Sequence, residues 1–470
     1  MKPGGLLLTL VLATGGCVYY NGMYNARRLA HEAEKAERDG RRFDAQNYWA
    51  QAEIKADSVI ARHPDSGWFD DALVIKSKAA IKRSACEEAV PYLERVLVTS
   101  PDDQLVDEAN MLLGGCYYQM GRPMGAAKYL MAASASGDSA RRTEAQGLYG
   151  SALNRMQRYP EALSVLSGHS GPRWDLERAV ALAGSGDVER SLQLADSMMS
   201  RRDTAVAWDS LLVVVGRVDL ASASELTDRI VAAADSMPAE VRASYYLADG
   251  IRWVSVDRDR AVARLEQAAA DSAARRTAAK ATLRLARLRL ATVGKTEDLA
   301  PVRDLLQKTI GSGGSAELLG RRLAETAKRI ESVSDTLSAD SPGGDLEMFL
   351  LAEAARDTLE AAPLARSFFH RIPRTWPRSP YAPKAMLALA DLTPDSAAFY
   401  HQFLVTVYPD SPYLTFIGGL ATGEFVALED SLRSFARSRV TRQQPRRRAN
   451  QRGRNRNRVR DDLEAEEDLP

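Results

Sequence analysis

The sequence predicts an all-α fold built from consecutive helical hairpins, and three observations predict it. The 470 residues are 45% hydrophobic but only 7% aromatic. The apolar content comes in Ala and Leu runs mixed with Arg and Glu, with few of the β-branched alternations that strands favour. Small and apolar residues recur at helical spacing, and the same set returns further along the chain, with Gly114 answered by Gly150 36 residues later. Glycines such as Gly121 and Gly186 stand where one helix must turn into the next. A chain of this length can bury one elongated core or two to three compact ones.

The N-terminus carries Lys2, an apolar run from Leu6 to Ala13, and then Thr14, Gly15 and Gly16 directly before Cys17. This eight-residue run, apolar except for Thr9, spans roughly 12 Å as a helix, too short for a ~30 Å hydrocarbon core, so the segment reads as an export signal and not as a membrane span. Small residues before a cysteine resemble the lipobox of bacterial lipoproteins, although Thr14 stands where that family prefers Leu. The resemblance implies a signal peptide over 1–16, acylation of Cys17 and a tether over 17–25. Val18, which is not an acid, then implies sorting to the outer membrane, facing the periplasm. The alternative is an ordinary secretory signal cleaved near Ala13. Beyond Cys17 only Cys86 and Cys116 remain. Both fall near inter-helix turns of consecutive units; two separate half-buried thiols are expected, with a disulfide as the alternative in an oxidising compartment.

Leu113, Gly114, Tyr117, Gly121, Ala126, Leu130 and Ala133 form the clearest unit. Gly114 lets two helices approach, Gly121 turns the chain, Ala126 fits a helix crossing, and Leu130 and Ala133 face the core. Tyr149, Gly150, Leu153, Tyr159, Ala162 and Leu166 repeat these offsets. Ala89, Leu93, Val96 and Pro101 precede them, Ala45, Trp49 and Ala52 lie earlier still, and Gly186, Val188 and Ala195 follow. These units resemble the tetratricopeptide repeat family, which implies a right-handed helical-hairpin solenoid over 26–200. From 201 to 340 helical periodicity persists, as in Ala261, Leu265 and Ala268, but the glycines and aromatics thin out, so degenerate helical repeats are expected.

A second pattern sits towards both ends. His63-Pro64-Asp65-Ser66-Gly67-Trp68, Trp376-Pro377-Arg378-Ser379-Pro380-Tyr381 and Tyr408-Pro409-Asp410-Ser411-Pro412-Tyr413 share ring, Pro, any residue, Ser, small residue or Pro, ring. The proline stops one helix, the serine can cap the next, and the rings pack between hairpins. Following a helix such as that of Ala365, Phe369 and Ile372, this hexapeptide resembles the repeats of two envelope families. They are the D-subunit lipoprotein of the outer-membrane β-barrel assembly machinery and the periplasmic coordinator of the Tol-Pal system. The likeness covers about 26–135 and 345–415 and concerns repeat type. It implies further tetratricopeptide-like repeats over 345–440. Gly311-Ser312-Gly313-Gly314-Ser315 and Ser338 to Gly344 are expected linkers, the second a domain boundary.

The net charge of +1 conceals a segregation: nine arginines lie between Arg442 and Arg460 without an acid, and six acids follow from Asp461 to Asp468. Residues 441–470 lack the apolar content to offset chain entropy and are expected to be disordered. In an exported protein such arginines are expected to meet anionic lipid, glycan or an acidic protein face rather than nucleic acid.

No template for catalysis fits. His31, His63, His169, His370 and His401 show neither an i+4 partner nor a cysteine pair at zinc spacing. Gly294-Lys295-Thr296 lacks the leading glycine of a phosphate loop, since Arg289 stands there, and Gly168-His169-Ser170-Gly171 is no nucleophile elbow. Asp70 and Asp71 read as helix-start acids. A non-catalytic protein without cofactor or metal is therefore expected, binding envelope proteins or peptides. In this register the inward offsets of the first helices are Asp71, Lys78 and Lys82, then Glu108, Tyr118 and Gln119, then Glu144, Asn154 and Arg155. They are the candidate partner-binding residues of a concave face, with Tyr118 exposed. The expected role is an outer-membrane scaffold, one candidate process being outer-membrane protein assembly. The alternative is a soluble periplasmic adaptor of cell-envelope division or polymer secretion.

Overall fold

The computed structural model describes residues 22–201, 207–233, 237–417 and 422–443. The expected export signal, Cys17 and the tail beyond residue 443 lie outside them. Among the described residues every regular element is helical, and no helix is long and apolar enough to cross a membrane. The chain divides into two compact units, Met1–Asp235 and Ser236–Pro470.

Unit 1 begins with α1 (22–38), so residues 22–25 of the expected tether are already helical. It continues through α2 (Arg42–Arg62), α3 (Phe69–Lys82), α4 (Cys86–Thr99), α5 (Asp103–Gln119), α6 (Pro123–Ala133), α7 (Ser139–Arg155) and α8 (Tyr159–Leu166). It closes with α9 (Pro172–Gly184), α10 (Val188–Ser200), α11 (Asp209–Val218) and α12 (Leu220–Ala233). Each helix from α2 to α10 packs on its sequence neighbour, as α11 does on α12, and each odd helix from α3 to α9 also packs on the next odd one. The odd helices thus line one continuous face.

The residues singled out in the sequence make the hairpins. Leu113, Ala126, Leu130 and Ala133 are fully buried, as are Leu153, Ala162 and Leu166 one unit later. A methyl group on Gly114 would come within 2.5 Å of Leu130 Cγ, and one on Gly150 within 2.6 Å of Leu166 Cγ. Only a bare Cα lets the leucine of the second helix seat against the first.

The turns share one geometry. Amides of Arg41, Ala85, Arg122, Arg158 and Asp187 bond back to carbonyls of Ala36, Ala80, Tyr117, Leu153 and Leu182. The residue before each amide has positive φ. Gly40, Gly121 and Gly186 supply this freely, but Ser84 and Gln157 adopt it too, at a cost that the helix-ending hydrogen bonds offset.

Unit 2 comprises α13 (Ala239–Trp253), α14 (Arg258–Ala270), α15 (Arg275–Leu290), α16 (Leu299–Gln307), α17 (Gly314–Val333) and α18 (Gly344–Glu353). After a π-turn at Ala354–Thr358 come α19 (Ala362–Thr375), α20 (Tyr381–Leu392), α21 (Ala397–Val407), α22 (Tyr413–Ile417) and α23 (Gly423–Gln443). Gly250 meets Leu265 as Gly114 meets Leu130, with a methyl at 2.8 Å from Cγ. Ala261, Leu265 and Ala268 are fully buried, as are Ala365, Phe369 and Ile372.

Three expectations need correction. Ser338 to Gly344 is no boundary, because a single apolar core runs across it from Leu323, Ala327 and Ile330 to Leu346 and Phe349. The Gly311–Ser315 run is a tight turn that enters the first turn of α17, with Gly311, Gly313 and the helix's first residue Gly314 at positive φ, and α16 and α17 pack on each other. Residues 441–443, expected to be disordered, continue α23, since Arg and Gln are good helix formers.

The hexapeptides behave as read in two cases of three. Ser379 Oγ accepts the Tyr381 amide at 3.1 Å and Ser411 Oγ the Tyr413 amide at 3.4 Å, while Tyr381 and Tyr413 are buried in the core. Ser66 Oγ caps nothing: it is buried with no hydrogen-bond partner among the described residues.

Gly114 and Gly115 test this packing with opposite signs. Gly115 has no neighbour within 4 Å of an added methyl. Gly114→Ala should lower stability by about 1–3 kcal/mol through overpacking against Leu130. Gly115→Ala should raise it by about 0.5–1 kcal/mol through reduced chain entropy. Urea unfolding midpoints of the two variants, shifted in opposite directions, would confirm the close approach; a common direction would refute it.

Candidate functional site

The odd-helix face of unit 1 carries rungs of paired side chains. Arg27 on α1 meets Asp71 on α3 at 2.6 Å, and Glu34 meets Lys78 at 3.3 Å; both pairs are 44 residues apart, one register of the same helix-on-helix packing. Glu37 and Lys82 add a third contact at 2.7 Å. Lys78 also reaches Glu108 on α5 at 2.5 Å, and Glu108 faces Arg141 on α7 at 3.9 Å. Burial alone would lower the Lys78 pKa, but Glu108 and Glu34 outweigh it and hold the ammonium above its ordinary value.

Further along, the Arg155 guanidinium lies over the Tyr118 ring at 3.6 Å and donates to the Tyr118 carbonyl at 2.9 Å. Burial, followed by the Glu177 carboxylate, raises the Tyr118 pKa. Glu144 pairs with Arg173 on α9 at 3.0 Å. Asn154 is 6% exposed, and its Nδ2 donates to both the backbone carbonyl and the carboxylate of Glu177, each at 2.8 Å. Its Oδ1 is buried and accepts no hydrogen bond among the described residues. An acceptor left open there is costly unless something fills it.

The structure brings eight of the nine expected residues onto this face: Asp71, Lys78, Lys82, Glu108, Tyr118, Glu144, Asn154 and Arg155. Gln119 is the exception. It ends α5, and its Oε1 stands 3.4 Å from Cys86 Sγ, beside the even helix α4. Tyr118 is half-buried rather than exposed, because Arg155 covers its ring. The sequence reading missed Arg27, Glu34, Arg141, Arg173 and Glu177, which complete the rungs; opposite charges one repeat apart were the signal. It also missed the apolar floor. Between α1, α3 and α5 a groove of about 220 Å³ is lined by Ala30, Val74, Ile75 and Leu105 together with Arg27, His31, Glu34, Asp71, Lys78 and Glu108.

Cys86 and Cys116 do not remain separate thiols. They are joined by a disulfide with Cα atoms 5.2 Å apart, 4% and 1% exposed, tying the start of α4 to α5. The stacking of successive hairpins brings the two positions together, a proximity that spacing along the chain could not reveal.

Unit 2 has its own polar cluster, also unforeseen. Lys384 pairs with Glu429 at 2.8 Å, and Tyr413 donates to Glu429 at 2.5 Å. Glu353, at the end of α18 just before the π-turn, has its pKa raised by burial despite Lys384 and Arg356 nearby. Asp70 and Asp71 do sit in the first turn of α3, yet they are also spoken for by Thr99 and Arg27. Among the described residues no group of three or more His, Cys, Asp or Glu side chains is placed to hold a metal.

No family model and no curated protein matches this sequence. Among solved structures, the chain is similar to a tetratricopeptide repeat protein from Parabacteroides merdae at 12% identity and TM-score 0.37, over 61% of this chain and 100% of that one. It is similar to a Rap protein complexed with competence and sporulation factor at 13% identity and TM-score 0.33, over 83% and 99%. It is similar to yeast Tom70 at 11% identity and TM-score 0.21, over 89% and 97%. None of these likenesses fixes a family, a partner or an activity for this chain.

The disulfide gives the site its test. Oxidised protein should react with a maleimide at neither Cys86 nor Cys116 until it is reduced. Replacing both cysteines by Ala should cost about 3–4 kcal/mol of unfolding free energy on the loop-entropy account. Two reactive thiols in protein recovered from an oxidising compartment would contradict the pairing.

Proposed function

We propose that this chain is a non-catalytic, lipid-anchored scaffold of the cell envelope that holds an extended polypeptide along the odd-helix face of unit 1. The observation that carries the reading is the arrangement on that face: paired charges across successive odd helices, the half-buried Tyr118 under Arg155, and a groove lined by charged residues together with Ala30, Val74, Ile75 and Leu105. Side chains of mixed charge with aromatic and aliphatic patches between them can hold an extended polypeptide by side-chain hydrogen bonds and small apolar contacts. The ion pairs then act as a polar rim that orders the face before a partner arrives, which lowers the entropy lost on binding.

The cellular setting rests on separate grounds. The apolar run before Cys17 supports export, and the small residues preceding that cysteine support acylation. The Cys86–Cys116 disulfide supports an oxidising compartment, because such bonds are rare in reducing ones. The repeat type and the hexapeptides support a role beside outer-membrane protein assembly.

A photo-reactive side chain at Tyr118 or Glu144, compared with one at exposed Met124 on α6, tests the binding face in cells. Crosslinks to a common partner are expected from the first two and not from Met124, and Tyr118→Ala should weaken that partner's affinity about tenfold. Crosslinks confined to Met124 would sink the proposed face. Mass and fractionation of wild type beside Cys17→Ser test the anchor separately: the expected result is an acylated, membrane-bound wild type and a released variant. Soluble, unacylated forms of both would favour a soluble periplasmic adaptor.

A further inference from the structure

Helix α1 is the first described helix, and one of its faces is covered by no other described element. Met23, Ala26, Leu29, Ala30, Ala33 and Ala36 are buried against the rest of unit 1. At 100° per residue, the opposite face consists of Tyr24, Arg28, Lys35 and Arg38, every one of them exposed, with His31 between this stripe and the groove toward α3. Arg28, Lys35 and Arg38 form no salt bridge among the described residues.

The acids of the same helix are kept off this face. Glu34 pairs with Lys78, while Glu37 pairs with Lys82 and accepts from Trp49 Nε1 at 2.9 Å; Glu32 only borders the stripe. A terminal helix needs a polar outer face for solubility, but solubility is served by mixed charges. Here the charged residues of the stripe are all cations, with Tyr24, 57% exposed, at the end nearest Cys17.

Four residues, Val18 to Asn21, separate Cys17 from the start of α1, so the two lie within about 17 Å of one another at full extension. Resting on the lipid-anchor reading above, we infer that the Tyr24–Arg28–Lys35–Arg38 stripe lies against the bilayer and pairs with the phosphates of anionic phospholipid headgroups. An acyl anchor plus a basic patch is a two-signal attachment, each exposed cation strengthening it by an electrostatic contribution that salt screens. Guanidinium groups suit phosphate, and a tyrosine suits the interface between headgroup and hydrocarbon. The attachment would fix the orientation of α1 relative to the membrane as well as its distance.

The test uses the full-length chain carrying Cys17→Ser, so that no acyl group contributes. Its sedimentation with phosphatidylglycerol–phosphatidylethanolamine vesicles is compared with that of the same chain also carrying Arg28→Gln, Lys35→Gln and Arg38→Gln. Both proteins retain the Arg-rich tail, so its contribution is common to the two. The stripe should strengthen partitioning on the order of a hundredfold at low salt, and the difference should collapse in high salt and on phosphatidylcholine vesicles. A triple variant that folds, by circular dichroism, and binds as well as its parent overturns the inference. A difference of equal size on phosphatidylcholine overturns it as well. A set of three Glu substitutions at the same positions provides the second variant, expected to bind more weakly still. The acyl mass at Cys17 is read independently: acylation without a stripe effect overturns this inference alone, and a stripe effect on a chain that is never acylated upholds the stripe while removing the anchor.

Discussion

The seating of a leucine against a bare glycine Cα is the contact on which this architecture depends. Gly114 with Leu130, Gly150 with Leu166 and Gly250 with Leu265 bring two helices closer than any side chain would allow. Dispersion contacts are worth little singly but accumulate where interiors are close-packed, and a hairpin closed in this way presents a fixed shape to its neighbour. Fixed hairpins can stack in only a few ways, so the odd helices of unit 1 fall side by side and their outward residues become one face.

That face follows from the stacking with no further instruction. Residues 44 apart, such as Arg27 with Asp71 and Glu34 with Lys78, meet because the helices carrying them are laid in register. Each partly exposed pair adds roughly 0.2–1 kcal/mol, so the ladder does little to hold the fold and more to hold the side chains in place. What it leaves unsatisfied is informative: the buried Oδ1 of Asn154 and the apolar floor formed by Ala30, Val74, Ile75 and Leu105. On α1, the first described helix, the face turned away from that packing carries exposed cations.

Local pattern revealed the hairpins well. Leu113, Ala126 and Leu130, or Ala365, Phe369 and Ile372, are core residues because helical spacing and small size leave them little else to be. The candidate face was legible as a set of offsets, and Gln119 failed because it sits at a helix end, where the angular argument loses its grip. Other features depend on distances that no spacing encodes. Cys86 and Cys116 meet only through the stacking of successive hairpins. Ser338 to Gly344 has the composition of a linker, yet neighbouring helices bury one core across it. Glycine-rich runs report freedom of φ, and tight turns need that freedom as much as linkers do.

Hydrogen exchange, read peptide by peptide in unit 1 with and without a co-purified partner, tests the central claim most directly. The account predicts slower exchange in α3, α5 and α7 on binding, with α4, α6 and α8 unchanged. Protection confined to the even helices, or to unit 2, would contradict it.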